Sequence, residues 1–159
     1  MAEITVISVG TLKEEYLKDA VSEYKKRLSQ YAKVSEINIK EEAVKNEDSK
    51  AEIKAALDAE GEKILAAVPK GAYKIAMCIE GVQFDSVSLA GKISEAIDTS
   101  GKIALIIGSS HGLSDKVKEN CKLKLSISKL TFPHQLMRAM LFEILYRSFT
   151  IIAGKRYHK

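Results

Sequence analysis

No apolar run in this chain approaches the ~18 residues a membrane-spanning helix needs, so a helical membrane protein is excluded. Met1-Ala-Glu leads straight into a short strand-like run with no basic stretch before it, so no secretory signal is read there and a cytoplasmic protein is expected. Cysteine is scarce. Cys78 and Cys121 lack metal-ligand spacing and read as buried or half-buried thiols in a reducing compartment. The three histidines, His111, His134 and His158, lack zinc-ligand spacing as well, and no metal is expected. There is no Gly-x-Gly-x-x-Gly and no phosphate loop with its Lys-Ser/Thr. Internal repeats, low-complexity segments and linkers are absent too, so residues 1–159 are expected to form one domain. A domain of that length buries roughly two-thirds of its unfolded surface.

What is present alternates in period. Ile4–Val9 reads as a strand closed by Gly10, and Leu12 to Leu28 as a helix with Leu12, Tyr16, Leu17, Ala20, Val21, Tyr24 and Leu28 on one face. Val34–Ile39 alternates as a half-exposed strand, and Lys40 to Asp48, charged and aperiodic, is expected to be a mobile loop. Ser49 is expected to cap a helix with Ile53, Leu57, Ile64 and Leu65 inward and with Gly61 weakening it. Lys74–Ile79 is a third strand; Asp85 or Ser86 caps a helix to about Ile97, stopped at Thr99-Ser-Gly101. Ile103–Ile107 has no polar residue and is expected to be central and covered on both faces. A short helix runs from Ser114 or Asp115 to about Asn120, and Leu123–Ile127 alternates as a fifth strand. Five strands alternating with five helices predict an α/β fold, a mostly parallel sheet with helices on both faces.

Chemistry concentrates at the C-terminal end. Six cations in residues 129–159 face Glu143 alone, a net of +5, so the other 128 residues net −1. Gly108-Ser-Ser-His-Gly112 follows the most apolar strand; a tight turn explains its glycines, and so does a ligand lying against bare backbone. On the second explanation Gly108→Val blocks the ligand and spares the fold. Ser109 and Ser110 lack a partner base and are not read as nucleophiles. Ser126-Ile-Ser-Lys-Leu-Thr-Phe-Pro-His-Gln-Leu-Met-Arg138 breaks from strand to turn and opens a helix to about Phe149. Thr131 is the expected N-cap, Pro133 sits in the first turn, and Leu136, Met137, Met140, Leu141, Ile144, Leu145 and Phe149 recur at helical spacing while His134, Arg138 and Arg147 stay polar. A strand-to-helix turn of this kind is a common ligand site in α/β proteins. The tail, Gly154-Lys-Arg-Tyr-His-Lys159, reads as frayed, or as an aromatic between cations suited to stacking RNA bases.

The stretch 126–138, with Glu143, Tyr146-Arg147 and the closing Tyr157-His158-Lys159, resembles the C-terminal signature of the ribosomal RNA large subunit methyltransferase H family of the SPOUT superfamily. The opening Ile-Thr-Val-Ile-Ser-Val-Gly-Thr-Leu-Lys, Glu60-Gly61-Glu62 and Ile106-Ile107-Gly108 extend the resemblance over essentially the whole chain. It implies a homodimer, and a trefoil knot in the C-terminal part, about residues 103–159, which general topology rules would reject. It implies an enzyme moving a methyl group from S-adenosylmethionine to N3 of a pseudouridine in 23S ribosomal RNA, probed best on the ribosome. By the same resemblance, Met77, Gly108 and Ile127, Ser128, Lys129, Leu130, Thr131 and Phe132 hold the donor. Arg138, Tyr157 and His158 surround the target base. Ser109, Ile144 and Arg156 depart from the family, which usually has glycine, glutamine and proline there. Rival readings are a non-catalytic RNA- or ribosome-binding module with a basic C-terminus, and a flavodoxin-like small-molecule enzyme.

Overall fold

The computed structural model describes residues 1–159. Its elements follow in the order β1 (Ala2–Val9), α1 (Glu15–Leu28), β2 (Ala32–Ile39), α2 (Lys50–Ala67), β3 (Tyr73–Val82), α3 (Ser86–Ser100), β4 (Lys102–Ile107), α4 (Asp115–Glu119), β5 (Leu123–Leu125) and α5 (His134–Ile152). The strands form one sheet in the order β2-β1-β4-β3-β5, and every pairing is parallel. Strand alternation sorts the apolar side chains into two cores. Ile4, Val6, Ile75, Met77, Ile103, Leu105 and Ile107 meet α1, α3 and α5 on one face. Ile7, Val9, Ala76, Ala104 and Ile106 meet Ile64 of α2 and Val117 of α4 on the other. β4 is central and buried on both faces, as its uniformly apolar sequence requires.

Helix starts follow local chemistry. Ser49 Oγ accepts from the Glu52 amide, Asp85 from Ser88, and Ser114 from Val117, each closing an amide the helix cannot pair itself. Gly101 ends α3 in the left-handed conformation, φ 69°. The segment between β2 and α2 has no regular structure but is tied down, with the Lys45 and Asn46 amides donating to Glu52.

Several expectations need correcting. Tyr16, placed on the inner face of the first helix, is 68% exposed, because α1 begins only at Glu15 and Tyr16 lies in its first turn, turned away from the sheet. Thr131 caps nothing. Pro133 is the residue before α5, with no side-chain bond to the first turn. A residue preceding proline is sterically driven out of the helical region, so Phe132 could not have been the first helical residue after a Thr131 cap. The fifth strand stops at Leu125 rather than Ile127, and β3 runs on to Val82 rather than Ile79. There Leu125 pairs with both Met77 and Val82 across a register shift, and the Ser126 amide donates to the Val82 carbonyl at 3.0 Å. Gly61 proves to be a packing site, not a weak point. A Cβ on it would lie 2.5 Å from Ser114 Oγ and 3.1 Å from Val117 Cγ2, so its bareness lets α4 lie against α2.

Candidate active site

The carboxyl ends of β3 and β4 and the segment 126–133 surround a cleft of about 640 Å³. This is where open α/β sheets place ligands, because loops there converge while the strands stay fixed. Seven residues singled out from the sequence line it: Met77, Gly108, Ile127, Ser128, Leu130, Thr131 and Phe132. Lys129 does not; it is exposed. Ser110, His111, His134 and Met137 complete the wall on the loop and α5 sides. Glu80 and Lys118 carry no motif that would place them here, yet both line the cleft and pair with each other. The hydrogen bond from Lys118 holds the Glu80 carboxyl below the usual range. The only available signal was Glu80's position just past the apolar core of β3.

The glycine loop is held by its own atoms. Ser109 and Gly112 bridge, the Gly112 amide donates to the Ser109 carbonyl at 2.9 Å, and Gly112 takes φ 91°. A Cβ on Gly108 would overlap the Gly112 carbonyl. Gly108→Val therefore breaks the loop itself rather than merely filling ligand space, which corrects the expectation of a spared fold. Ser109 is buried, and its Oγ accepts from the His111 amide at 3.3 Å. His111 Nε2 lies 2.8 Å from Glu47 Oε2, which ties the loop to the segment before α2. Cys78 lines the cleft and Cys121 lies outside it; burial raises both thiols, Cys121 to about 11, as expected of unreactive cysteines.

Arg138 is not a surface arginine. It is 2% exposed, donating from Nη2 to the Gly10 carbonyl at 2.9 Å and from Nη1 to Asn38 Oδ1 at 3.3 Å, while Nε has no partner. These acceptors sit at the carboxyl ends of β1 and β2, and they draw the guanidinium inward, away from the cleft lining. Burial lowers its pKa, with Glu36 opposing.

The tail folds back on its own helix. Tyr157 Oη donates to Glu143 Oε1 at 3.2 Å, and its ring meets Tyr146 edge-on at 4.8 Å. Arg147 bonds the same Glu143 oxygen at 2.7 Å, lies 4.7 Å over the Tyr157 ring, and comes within 3.4 Å of His158 Nδ1. Burial first, then the neighbouring Tyr24 hydroxyl and Glu143 carboxylate, push the Tyr157 hydroxyl up to about 12. The frayed-tail expectation therefore fails: Tyr157 is anchored. Within one chain neither tail residue lines the main cleft. Glu143 and Arg147 instead line a smaller cleft of about 190 Å³ that shares Ser126 and Ile127 with it. No group of three or more His, Cys, Asp or Glu side chains is placed to hold a metal ion, and no helix is long and apolar enough to cross a membrane.

Comparison with known proteins extends the match well beyond the site. The family model described as "Predicted SPOUT methyltransferase" matches residues 2–158. Proteins named ribosomal RNA large subunit methyltransferase H are similar along their full length. The one from Caldicellulosiruptor saccharolyticus is 45% identical over 156 residues, covering 98% of this chain and 99% of its own. That from Shouchella clausii is 49% identical over 158 residues, with the same coverage. A crystal structure of a probable methyltransferase from Bordetella pertussis shares the fold, with TM-score 0.56 and 15% identity, over 93% of this chain and 95% of its own. Sheet order, cleft position and a family match from residue 2 to residue 158 lead to one conclusion: the chain belongs to the SPOUT methyltransferase family.

Proposed function

We propose that the protein is an S-adenosylmethionine-dependent methyltransferase acting on N3 of a pseudouridine in 23S ribosomal RNA, as a cytoplasmic homodimer working on the assembled ribosome. The observation that carries this reading is the cleft at the ends of β3 and β4, in a chain nearly half identical to proteins named ribosomal RNA large subunit methyltransferase H. Its volume of about 640 Å³ falls in the range of small-molecule sites. The donor supplies an activated methyl on a positively charged sulfur. Walls from Met77, Ile127, Leu130 and Phe132 suit such a group, since they exclude water without adding positive charge. The backbone of Gly108–Gly112 and of Ser128–Thr131 offers the polar contacts.

Methyl transfer is an in-line displacement, so fixing donor and base in line supplies most of the rate. The N3–H must also lose its proton. His158 is the tail residue suited to accept it, and Tyr157, with its proton held far above neutral pH, serves to stack and anchor. Arg138 directs its guanidinium away from the cleft lining, so its positive charge, bonded only to neutral acceptors, favours a developing anion through its field and not by contact. The knot of residues 103–159 belongs to this reading. The tight crossing of Gly81 against the Lys124 carbonyl, and of Ser126 onto Val82, supports a compact passage there. The dimer reading is supported by Leu130, 70% exposed, and Ile79, 50% exposed, at the cleft rim; sedimentation at 17.5 kDa would refute it.

Labelled methyl transfer from S-adenosylmethionine to 70S ribosomes, compared with isolated 50S subunits, tests the whole reading. Label is expected on 23S RNA of the 70S particle. Calorimetry with the donor separates the alternative, a non-catalytic ribosome-binding module, which gives no heat.

A further inference from the structure

Beneath the glycine loop, α2 presents Glu60, 2% exposed. Its Oε2 accepts from the Glu42 amide at 2.9 Å, and its Oε1 has no partner at all. A carboxyl oxygen stripped of water and left unbonded is costly, so its presence here calls for a reason. The next residue, Gly61, is bare so that Ser114, at the far end of the loop segment, can lie against the helix. Ser109, at the near end, places its hydroxyl beside the Glu60 carboxyl. One turn of α2 is thus moulded to both ends of the segment 108–114. The segment before α2 closes the other side, through the Glu42 amide on Glu60, Lys63 on Glu42, and Glu47 on His111.

We propose that Glu60 is a positioning residue for the donor-binding loop, its carboxyl holding Ser109 from below so that Gly108–Gly112 keeps the shape of the cleft wall. Oε1 and the Ser109 hydroxyl are neighbours with no hydrogen bond yet closed between them, and a small turn of the hydroxyl closes one in either protonation state. As the neutral acid, Oε1–H donates to Ser109 Oγ; as the carboxylate, Oε1 accepts from the Ser109 hydroxyl. Burial, and then the carboxylates of Glu41 and Glu42 on the adjoining segment, favour the neutral acid, while Lys63 is occupied by Glu42. Glu60 touches neither donor nor RNA, and it acts through the loop backbone.

This inference rests on the cleft being the S-adenosylmethionine site. Calorimetry with S-adenosylmethionine and steady-state methylation of ribosomes test it on the full chain. Glu60→Ala is expected to weaken donor affinity at least about tenfold and to leave the KM for ribosomes unchanged, since only the donor wall loses its support. Glu60→Gln keeps the size, an acceptor for the Glu42 amide and a donor for Ser109, and restores affinity to within about threefold. Ser109→Ala loses about three- to tenfold, and the double variant Glu60→Ala/Ser109→Ala loses no more than Glu60→Ala, because both act through one contact. A folded Glu60→Ala within threefold of the wild type, or losses that simply add, overturns the proposal. If Glu60→Ala does not fold, Ser109→Ala decides, and an affinity equal to wild type overturns it. A wild-type protein that binds no donor overturns the methyltransferase reading and this inference together, whereas binding by the wild type with unchanged variants overturns this inference alone.

Discussion

Two buried polar side chains, Glu60 and Arg138, each keep one atom without a partner, and each has consequences beyond its contacts. Glu60 titrates in the direction of burial: its folded pKa lies above the ordinary value of 4.5, with desolvation the main cause. The folded state therefore holds that proton more tightly than the unfolded chain. The resulting stability is full below the unfolded value and is lost as pH rises through the raised folded one. Gln carries no titrating proton there, so the melting temperature of Glu60→Gln is expected to gain on the wild type as pH rises from below that ordinary value to neutral. Scanning calorimetry at both ends checks this, and curves that stay parallel refute it. Arg138 fills a buried site and bonds the half-buried Gly10 carbonyl and the exposed Asn38, so Arg138→Ala should cost about 1–3 kcal/mol through lost packing and a lost charge-assisted hydrogen bond. Denaturant unfolding measures that loss; a midpoint equal to wild type would mean that neither contributes. Nothing local made this burial legible. Arg138 shares a helix face with polar His134, one turn before it, and its partners lie 128 and 100 residues upstream.

Elements were largely legible, since alternation and 3.6-residue spacing report which face is buried, and all ten predicted elements exist with shifted ends. Ser49, Asp85 and Ser114 marked helix starts correctly, because a side-chain oxygen before a periodic run is a local signal. What could not be read were contacts between elements. Gly61 looks like a fault in a helix until α4 is seen against it. Intrinsic propensity favours Ala over Gly by about 1 kcal/mol in a helix. At Gly61 the added methyl would meet Ser114 Oγ at 2.5 Å, and Ser114 cannot swing aside without uncapping α4. Overpacking of that kind costs about 1–3 kcal/mol, so Gly61→Ala is expected to destabilise. Gly91, exposed in α3 with nothing within 4 Å of its missing Cβ, is the matched control. Gly91→Ala should gain about 0.5–1 kcal/mol. Urea unfolding of the pair decides, and a stabilised Gly61→Ala would show that α4 yields.

At the scale of the whole molecule, the sequence shows positive charge gathered near the C-terminus but not where the fold carries that end. Sheet order and the return of the tail depend on long-range packing that no linear pattern records. Tyr157 docks on Tyr146, which also neighbours Tyr24 and Tyr31, and Arg147 and Glu143 hold it there. The tail is thus part of the aromatic cover over α1 and α5, and it lies beside a cleft that shares Ser126 and Ile127 with the larger one. Deleting Tyr157–Lys159 removes an aromatic pair worth about 0.5–1.5 kcal/mol, so a modest fall in melting temperature is expected. Donor affinity should change by less than about threefold, under 1 kcal/mol, since no deleted residue lines the larger cleft, where the donor is proposed to bind. Methyl transfer to ribosomes should fall at least about a hundredfold, the scale of losing a proton acceptor and a positioning contact. Tyr157→Phe separates anchoring from chemistry: it keeps the ring against Tyr146 and loses only the bond to Glu143, so most activity should survive. His158→Ala keeps the anchor and should lose activity nearly as the deletion does. If the truncated protein, assayed below its melting temperature, methylates ribosomes at the full rate, the tail is only a cover for the helix pair, and proton removal belongs to another group.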